Sequence, residues 1–547
     1  MKSTSGAKQF LGNQKQEKRE KAAFLVLLAV MAVYYGYRLF ALTPWYDELY
    51  TYYWFISKGP VYAAIHWPLP NNHVGYSVLS AFLDYLGNAY IGLRGVSYLC
   101  ALSNMCLLYK IMKRYTKGWI PMITVLLYIS MNLVNQLAVQ GRGYTLGITC
   151  YLTAWLCMIR ICEEKRAAKK IYFIYIVSLV LGLYTVSSNV YWVLPLCMAG
   201  GVFLLVRGIQ EGMAESGKKL TKLVLASVSA AVGTIFLYAT IWLAIGSNLL
   251  MKDETGAYYG VGHMKIILSA PFAAIGRGME YMLDTPYIQS EERAGFAGRL
   301  WDFFVTLSGY YYHSLAVMIL WGIGIAFLVY KIISCIRKKE NADLLLYLFL
   351  FTGIVMVPVC LMIQCKRPYY RVFTYGGVLL AVLIGVLLEQ VIKIIGTKAA
   401  DEHHRKSISA LMLILTIAFS VKCIGFSGYN EQYGANEHAI QEAFSQTDMS
   451  KWSRFCVTDC NQEYLLYFLY GIRCENREIE GADVLLLDKR MTDPDFQEMV
   501  WEFYHYYDTI PWEYMEKNML PVYENDNYIL YVSKNETKIS QEETDEK

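Results

Sequence analysis

The 547-residue chain is poor in charged residues and holds no recognisable metal-binding pattern. Only 18% of its residues are Asp, Glu, Lys or Arg, whereas 55% are hydrophobic and 15% aromatic. A soluble protein carries about 25% charged residues, so this composition predicts a protein with many membrane spans. The thirteen Cys form no CxxC pair and no Cys/His cluster with zinc-like spacing. The small net charge of +4 gives no support for nucleic-acid binding.

Most of the cysteines lie in apolar runs, where they are predicted to be small core residues. Cys456, Cys460 and Cys474 lie beyond the last apolar run. In an oxidising compartment two of these three thiols could pair, and the odd number leaves the pairing open.

Long apolar runs alternate with basic segments along most of the chain. A helix needs about 20 residues to cross a bilayer. We predict about eleven transmembrane helices, at residues 22–42, 92–108, 119–134, 144–159, 171–185, 192–206, 223–245, 314–333, 344–363, 373–395 and 408–426. The first run has no small-residue cleavage site, which predicts a retained anchor. Alternate connecting segments are rich in Lys and Arg, so the positive-inside rule predicts a cytoplasmic N-terminus with a basic leader at 1–21.

The remaining segments are predicted as loops and one terminal domain. Within the transmembrane module 22–426, the outer loop 43–91 is aromatic but interrupted by proline and glycine, which favours interfacial helices over a further crossing. A second outer loop covers 246–312. Residues 427–534 alternate polar segments with short β-like runs at 455–457, 484–487 and 528–532, and predict a small extracytoplasmic α/β domain. Residues 535–547 predict a disordered tail. The fold class is an α-helical polytopic membrane protein with this appended domain.

Two adjacent acids, Asp47 and Glu48, follow the first span about one helical turn beyond the lipid core. A loop acid pair that anchors a helix end would be the simple explanation. Ionisable groups so close to hydrocarbon are costly, however, and a partly desolvated carboxylate beside a like charge suits a general base. We therefore predict that Asp47 and Glu48 are catalytic.

Two further polar groups fall on the predicted outer side. Asn72 and His73 lie at the hinge between the two proposed interfacial helices, where turn formation accounts well for the asparagine and less well for the histidine. Arg142 lies in a Gly-Arg-Gly turn before Tyr144, and an arginine on the outer side runs against the charge bias. A snorkelling interfacial arginine is the alternative. We predict that these four residues contact substrate.

The outer side also carries an unexpected cluster of cations, Lys366, Arg367 and Arg371, immediately before a predicted span. Such a cluster would hold an anion, for example a phosphate or diphosphate head group at the membrane surface. Attraction to anionic lipid is the simpler alternative. Together with the acids, these cations indicate a lipid-phosphate substrate whose head group meets a carboxylate base in water.

The acid pair after the first span, the Asn-His segment, the Arg-Tyr turn and the late basic motif together resemble the GT-C glycosyltransferases. The most similar branch is the protein O-mannosyltransferase and aminoarabinose-transferase type, that is, glycosyltransferase family 39. The resemblance covers roughly residues 35–205, the basic motif more loosely and the C-terminal domain hardly at all. His73 is followed by Val74 and Gly75, which departs from the His-Pro-Pro-Leu pattern of the aminoarabinose branch and leaves the donor sugar open.

The resemblance implies an inverting enzyme that transfers a sugar from a polyprenyl-phosphate donor to a glycan, lipid or protein acceptor on the extracytoplasmic side of a bacterial plasma membrane. By position, Asp47 would deprotonate the acceptor hydroxyl, with Glu48 holding or tuning it. Arg142, Lys366, Arg367 and Arg371 would neutralise the lipid phosphate, so neither a metal nor another cofactor is expected.

Two other functions fit parts of the pattern. A transporter or flippase for a lipid-linked solute would place ionisable groups at mid-membrane, whereas here they gather at one interface. A polysaccharide polymerase or ligase that uses a polyprenyl-diphosphate donor would depend on the basic residues and little on Asp47.

Overall fold

The computed structural model describes residues 3–66, 72–165, 167–245, 262–284, 288–398, 402–425, 434–474, 478–496 and 506–534. The predicted tail 535–547 lies outside the described residues, as does the start of the predicted outer loop 246–312. The chain divides into two compact units. The first comprises Met1–Leu39, Pro60–Ser80 and Arg94–Ser427, and the second comprises Phe40–Gly59, Ala81–Leu93 and Gly428–Lys547.

Helices make up nearly all of the described chain before residue 426. They are α1 (Ser3–Ala41), α2 (Tyr46–Trp54), α3 (Pro60–Ile65), α4 (Val74–Asp84), α5 (Ala89–Tyr115), α6 (Ile120–Ser130), α7 (Asn132–Leu137), α8 (Tyr144–Glu163), α9 (Lys169–Thr185), α10 (Val190–Glu211), α11 (Met213–Ile245), α12 (His263–Asp284), α13 (Phe296–Tyr311), α14 (Ser314–Lys338), α15 (Leu344–Gln364), α16 (Gly376–Lys398) and α17 (Glu402–Gly425). Short 3₁₀ turns precede α3, α10 and α16.

Nine helices among the described residues are long and apolar enough to span a membrane, which confirms a helical, multi-pass membrane protein. The predicted count of about eleven is not confirmed. The predicted span 119–134 is divided at Met131, whose extended backbone ends α6 after 11 residues, or about 16 Å at 1.5 Å per residue. Helix α9 has 17 residues, or about 26 Å. Both fall short of the roughly 30 Å hydrocarbon core.

The first unit is a helical assembly in which helices both adjacent and distant along the chain pack together. Helix α8 packs against α9, α10 against α15, and the short α6 against α16 and α17. Small residues allow some of these close approaches, since a Cβ on Gly385 of α16 would lie 2.3 Å from Thr124 Oγ1 of α6. The predicted loop 246–312 contains two helices, α12 and α13, of which α12 packs against α11.

The second unit is built around a four-stranded sheet with the order β1-β2-β4-β3. Strands β1 (Phe455–Val457) and β2 (Val484–Asp488) are parallel, and the hairpin β3 (Met519–Glu524) and β4 (Tyr528–Ser533) joins them through an antiparallel pairing of β4 with β2. Three helices accompany the sheet: α18 (Ala435–Phe444), α19 (Cys460–Tyr470) and α20 (Trp512–Asn518). The predicted small C-terminal sheet is therefore confirmed.

One strand, β3, was not predicted from the sequence. It contains Pro521 and most of its residues are not buried. A proline cannot donate to a neighbouring strand, which restricts it to an edge position such as this one. The other three strands are apolar runs without proline, whereas the apolar run of β3 is interrupted by Pro521.

Helix α2 shares its hydrophobic core with the C-terminal helices and strands. Leu49, Tyr52 and Tyr53 of α2 are buried in one cluster with Leu465 and Phe468 of α19. Helix α2 packs directly against α19. Helix α2, which lies in the predicted outer loop 43–91, therefore belongs to the second unit by its core contacts.

Candidate functional site

The predicted catalytic acids lie in the first turn of α2, in the second unit. Trp45 precedes the helix in an extended conformation, and its backbone N–H donates to Glu48 Oε2 at 3.3 Å. Acidic side chains at a helix N-terminus are stabilised by the exposed N–H groups and the helix dipole. Glu48 is only 1% exposed and takes part in this capping, whereas Asp47 is half-buried. Of the two carboxylates, Asp47 is therefore the more accessible to a substrate.

A third carboxylate, Glu437 of α18, lies at the same turn and was not identified from the sequence. Its Oε1 accepts from the backbone N–H of Tyr46 at 3.0 Å and from Asn461 Nδ2 at 2.9 Å. Burial raises the pKa of Glu437, and the nearby charge of Glu48 adds to that shift. No signal in the sequence points to it, because the contact joins residues 391 positions apart.

In the first unit, His73 lies at the start of α4 with both ring nitrogens facing donors. The backbone N–H of Gly143 donates to His73 Nδ1 at 2.9 Å, so a neutral imidazole carries its proton on Nε2. Burial, with the charges of Arg142 and Arg371, holds the pKa of His73 well below its usual value. The ring is therefore neutral near pH 7 and presents an Nε2–H donor.

Arg142 places a second donor beside that proton. Its Nη2 lies 3.2 Å from His73 Nε2, and both side chains are almost fully buried. Two donors do not bond to each other, but they can donate to one shared oxygen atom. We call His73, Arg142 and Arg371 the donor cluster. Its chemistry suits an anion with several oxygens, such as a phosphate.

The turn that carries Arg142 is held tightly. Ser97 Oγ donates to the carbonyl oxygen of Gln140, and the N–H of Arg142 donates to that same oxygen at 2.7 Å. A Cβ on Gly143 would lie 2.3 Å from Thr185 Cγ2 and 3.1 Å from His73 Nδ1, so only glycine fits there. The ring of Tyr144 meets that of His73 edge-on at 5.0 Å. These contacts hold the Arg142 turn against His73.

Asn72 has structural partners that explain its position. Its Nδ2 donates to the carbonyl oxygens of Ala63 and His66, and its Oδ1 accepts from Ser77 Oγ at 2.8 Å. These bonds tie the end of α3 to the start of α4. Asn72 thus holds the backbone of the adjacent His73.

The three predicted cations of the basic motif have different surroundings. Lys366 is buried, with 4% exposed. Arg367 forms an ion pair with Glu291, which also accepts from Arg299 Nε at 2.8 Å, and these partners hold the pKa of Glu291 below its usual range. Arg371 lies close enough to lower the pKa of His73. Of the three, Arg371 is the cation that joins the donor cluster.

Among the described residues, no three His, Cys, Asp or Glu side chains come together in a group that could hold a metal ion. The metal-independent mechanism implied by the resemblance stays a prediction.

Comparison with known proteins gives one family match. Residues 74–236 match the family model described as dolichyl-phosphate-mannose-protein mannosyltransferase. This match confirms the predicted resemblance to GT-C glycosyltransferases of the protein O-mannosyltransferase type. The matched stretch includes Arg142 and Tyr144, whereas Asp47, His73 and the basic motif lie outside it. No curated protein sequence matches the chain.

The solved structures that match this chain include those of AglB and ArnT. The archaeal oligosaccharyltransferase AglB from Archaeoglobus fulgidus, in complex with an inhibitory peptide and a dolichol-phosphate, is 10% identical with a TM-score of 0.47. The match covers 82% of this chain, which spans 63% of the AglB chain. ArnT from Cupriavidus metallidurans, bound to undecaprenyl phosphate, is 12% identical with a TM-score of 0.48, covering 93% of this chain and 98% of that one.

Proposed function

We propose that this protein is a membrane glycosyltransferase that transfers a sugar from a polyprenyl-phosphate donor to an acceptor hydroxyl, with inversion at the anomeric carbon. The family description of residues 74–236 names a dolichyl-phosphate sugar, which supports a lipid-phosphate donor. The observation that carries the proposal is the pair of buried nitrogen atoms His73 Nε2 and Arg142 Nη2, which lie 3.2 Å apart.

The donor cluster suits the phosphate of such a substrate. Arg142 and Arg371 supply positive charge, while the neutral His73 supplies a hydrogen bond without adding a third charge. Burial strengthens each interaction, because the attraction between charges grows as the surrounding dielectric falls. A phosphate held there would have its developing charge stabilised as it becomes the leaving group.

Asp47 would act as the general base. The acceptor oxygen forms a bond to the anomeric carbon of the sugar while the bond from that carbon to the phosphate oxygen breaks. The hydroxyl proton passes to the Asp47 carboxylate, and the electron pair of the broken bond leaves with the polyprenyl phosphate. Attack from the side opposite the leaving group inverts the anomeric configuration. In this scheme Arg142 and Arg371 neutralise the leaving group, so no metal ion takes part.

The cellular setting is proposed with the same function. The Lys and Arg distribution supports a cytoplasmic N-terminus, with the C-terminal domain on the extracytoplasmic side of a bacterial plasma membrane. The acceptor there would be a glycan, a lipid or a protein.

The decisive experiment measures sugar transfer from a panel of polyprenyl-phosphate sugars by the purified protein, with a chelator present. Asp47→Asn is compared with wild type and with Asp302→Asn, a matched change at an exposed position of α13. We expect wild type and Asp302→Asn to transfer sugar, and Asp47→Asn to lose transfer by about 100- to 10,000-fold, the usual range for general acid–base catalysis.

Two outcomes would favour a different function. Transfer that survives Asp47→Asn but is lost in Arg371→Ala would favour a polymerase or ligase with a diphosphate-linked donor. Absence of transfer from every donor, together with lipid movement in vesicles that survives Asp47→Asn, would favour a transporter.

A further inference from the structure

The helix that carries Asp47 is held along its whole length by the C-terminal part of the chain. Near its end, Tyr53 Oη donates to Glu463 Oε1 at 2.8 Å, and Trp54 Nε1 donates to Tyr464 Oη at 2.9 Å. The rings of Tyr53 and Tyr464 lie 4.6 Å apart. These partners all belong to α19, so the orientation of the α2 axis depends on that helix.

The first turn of α2 is held by α18 instead. Glu437 accepts from the backbone N–H of Tyr46, the residue directly before Asp47. Thr43 Oγ1, three residues earlier, donates to Gln441 Oε1 at 2.7 Å. The N–H groups of a first helical turn have no partner within their own helix, so an outside acceptor fixes where that turn lies.

Glu437 is in turn held on its other side. Asn461 of α19 donates to the same Oε1 atom, and Glu437 is only 6% exposed. One carboxylate oxygen therefore joins the backbone at Tyr46 to α19. A buried acceptor with two donors has little freedom to move, which makes it an accurate support for the neighbouring residue.

We propose that Glu437 is a positioning residue for Asp47: by holding the N–H of Tyr46 it sets the place and direction of the carboxylate that accepts the proton. This inference rests on the proposed function of Asp47 as the base. The C-terminal domain, which the sequence presents as an appendage, thereby supplies part of the support for catalysis. A misplacement of about 1 Å at a reacting group can cost about 100-fold in rate, so a support of this kind is visible in kcat.

The first test compares three variants of α18 in the transfer assay. Glu437→Ala removes the hydrogen-bond acceptor for the N–H of Tyr46. Glu437→Gln keeps an Oε1 hydrogen-bond acceptor without the charge, and Glu442→Ala is a matched change at an exposed position of the same helix. We expect Glu437→Ala to lower kcat by about 10- to 100-fold with the donor KM within about twofold, since the support acts on the reacting group and not on donor binding. Glu437→Gln and Glu442→Ala should stay within about threefold of wild type.

A second test removes the hydrogen-bond donor, the backbone N–H of Tyr46, and leaves Glu437 in place. It is needed in case Glu437→Ala lowers the folded yield. Tyr46 is the first residue of α2, and Trp45 before it is extended, so proline is tolerated at position 46. Tyr46→Pro and Tyr46→Ala both remove the ring, but only Tyr46→Pro removes the N–H. We expect Tyr46→Pro to have the lower kcat in the wild-type background and the same kcat as Tyr46→Ala in the Glu437→Ala background.

The results separate the two proposals. If Asp47→Asn abolishes transfer while Glu437→Ala keeps the wild-type kcat, or if Tyr46→Pro and Tyr46→Ala are equal in the wild-type background, Glu437 does not position the base and the proposed function stands. If Glu437→Ala lowers only the melting temperature, its role is structural and the inference is wrong. If Asp47→Asn keeps transfer, the proposed function itself fails.

Discussion

His73 offers a clean test of the donor cluster, because its two ring nitrogens have different tasks. Nδ1 accepts from Gly143 N–H and holds the turn, while Nε2 lies beside Arg142 Nη2, where we propose that the phosphate binds. The amide of asparagine can replace Nδ1, with its oxygen toward Gly143, and leaves nothing at Nε2. The longer glutamine places an N–H near Nε2 and leaves Gly143 without its acceptor. The pair His73→Asn and His73→Gln therefore separates binding from stability.

The expected magnitudes follow from these contacts. A hydrogen bond to a charged group contributes about 1.5–3 kcal/mol, so His73→Asn should raise the KM for the polyprenyl-phosphate donor by about 10- to 100-fold. A buried N–H without an acceptor costs about 1–3 kcal/mol, so His73→Gln should lower the free energy of unfolding by that amount. The KM of His73→Gln should stay closer to that of wild type.

The assay is transfer at varied donor concentration, with the thermal midpoint of each purified variant measured in the same detergent. A wild-type donor KM in His73→Asn would mean that Nε2 makes no contact with the phosphate. A His73→Gln variant as stable as wild type would mean that the Gly143 N–H does not depend on Nδ1.

The same histidine predicts a pH dependence of stability. Its pKa in the folded protein lies well below the usual value near 6.5, so below pH 6.5 the unfolded chain binds a proton that the folded protein does not. Stability therefore falls as the pH is lowered below about 6.5, by up to about 1.4 kcal/mol per pH unit, and this contribution is flat above it. His73→Asn should remove this slope.

Three other variants test neighbouring parts of the structure. Arg371→Ala should raise the KM for the polyprenyl-phosphate donor far more than Arg367→Ala, because the Arg367 side chain is occupied in an ion pair. Equal increases in KM, measured by steady-state kinetics, would mean that both arginines bind substrate. Gly143→Ala should destabilise the protein by about 1–3 kcal/mol because its Cβ meets Thr185 Cγ2, and the added change Thr185→Ser should restore part of the melting temperature. Burial raises the pKa of Asp459 from 3.8 to about 6, so its ionisation costs up to about 3 kcal/mol once the pH exceeds 6. Asp459→Asn keeps a hydrogen-bond acceptor for the start of α19 but cannot ionise, so it should stabilise the domain at pH 8 and not at pH 4. The measurement is amide hydrogen exchange of β1 and β2, which the substitution should slow at pH 8 only.

The sequence was most informative where one residue type stands out against a simple physical rule. Arg142 was singled out because an outer arginine runs against the charge bias, and the structure places it beside His73. The glycines around it indicated a tight turn, and the structure gives the reason at Gly143. By contrast, nothing in the sequence separated Arg367 from Arg371, because the ion pair that distinguishes them involves Glu291, 76 residues away from Arg367.

The membrane fold was predictable as a class and less so in detail. Apolar composition identifies helices that can span a bilayer, but it does not show where a run is interrupted. The run 119–134 contains no proline or glycine at its break, Met131, and its residues are almost all buried within the protein. A buried apolar helix and a membrane span have the same composition, so length in the folded protein decides between them.

The role of the C-terminal domain can be decided by removing it. One possible role for residues 429–547 is to shape acceptor choice, in which case a truncated protein would keep transfer but accept other hydroxyls. The structure predicts a different result, because Leu49, Tyr52 and Tyr53 of α2 are buried in one core with residues of the C-terminal helices and strands. Deletion exposes that apolar face and also removes Glu437 from Tyr46. We therefore expect the truncated protein to lose transfer to every acceptor while still binding the polyprenyl-phosphate donor, as measured by equilibrium binding of a labelled donor. Transfer that continues with an altered acceptor range would mean that α2 keeps its active conformation without this core, and that acceptor selection is the role of the domain.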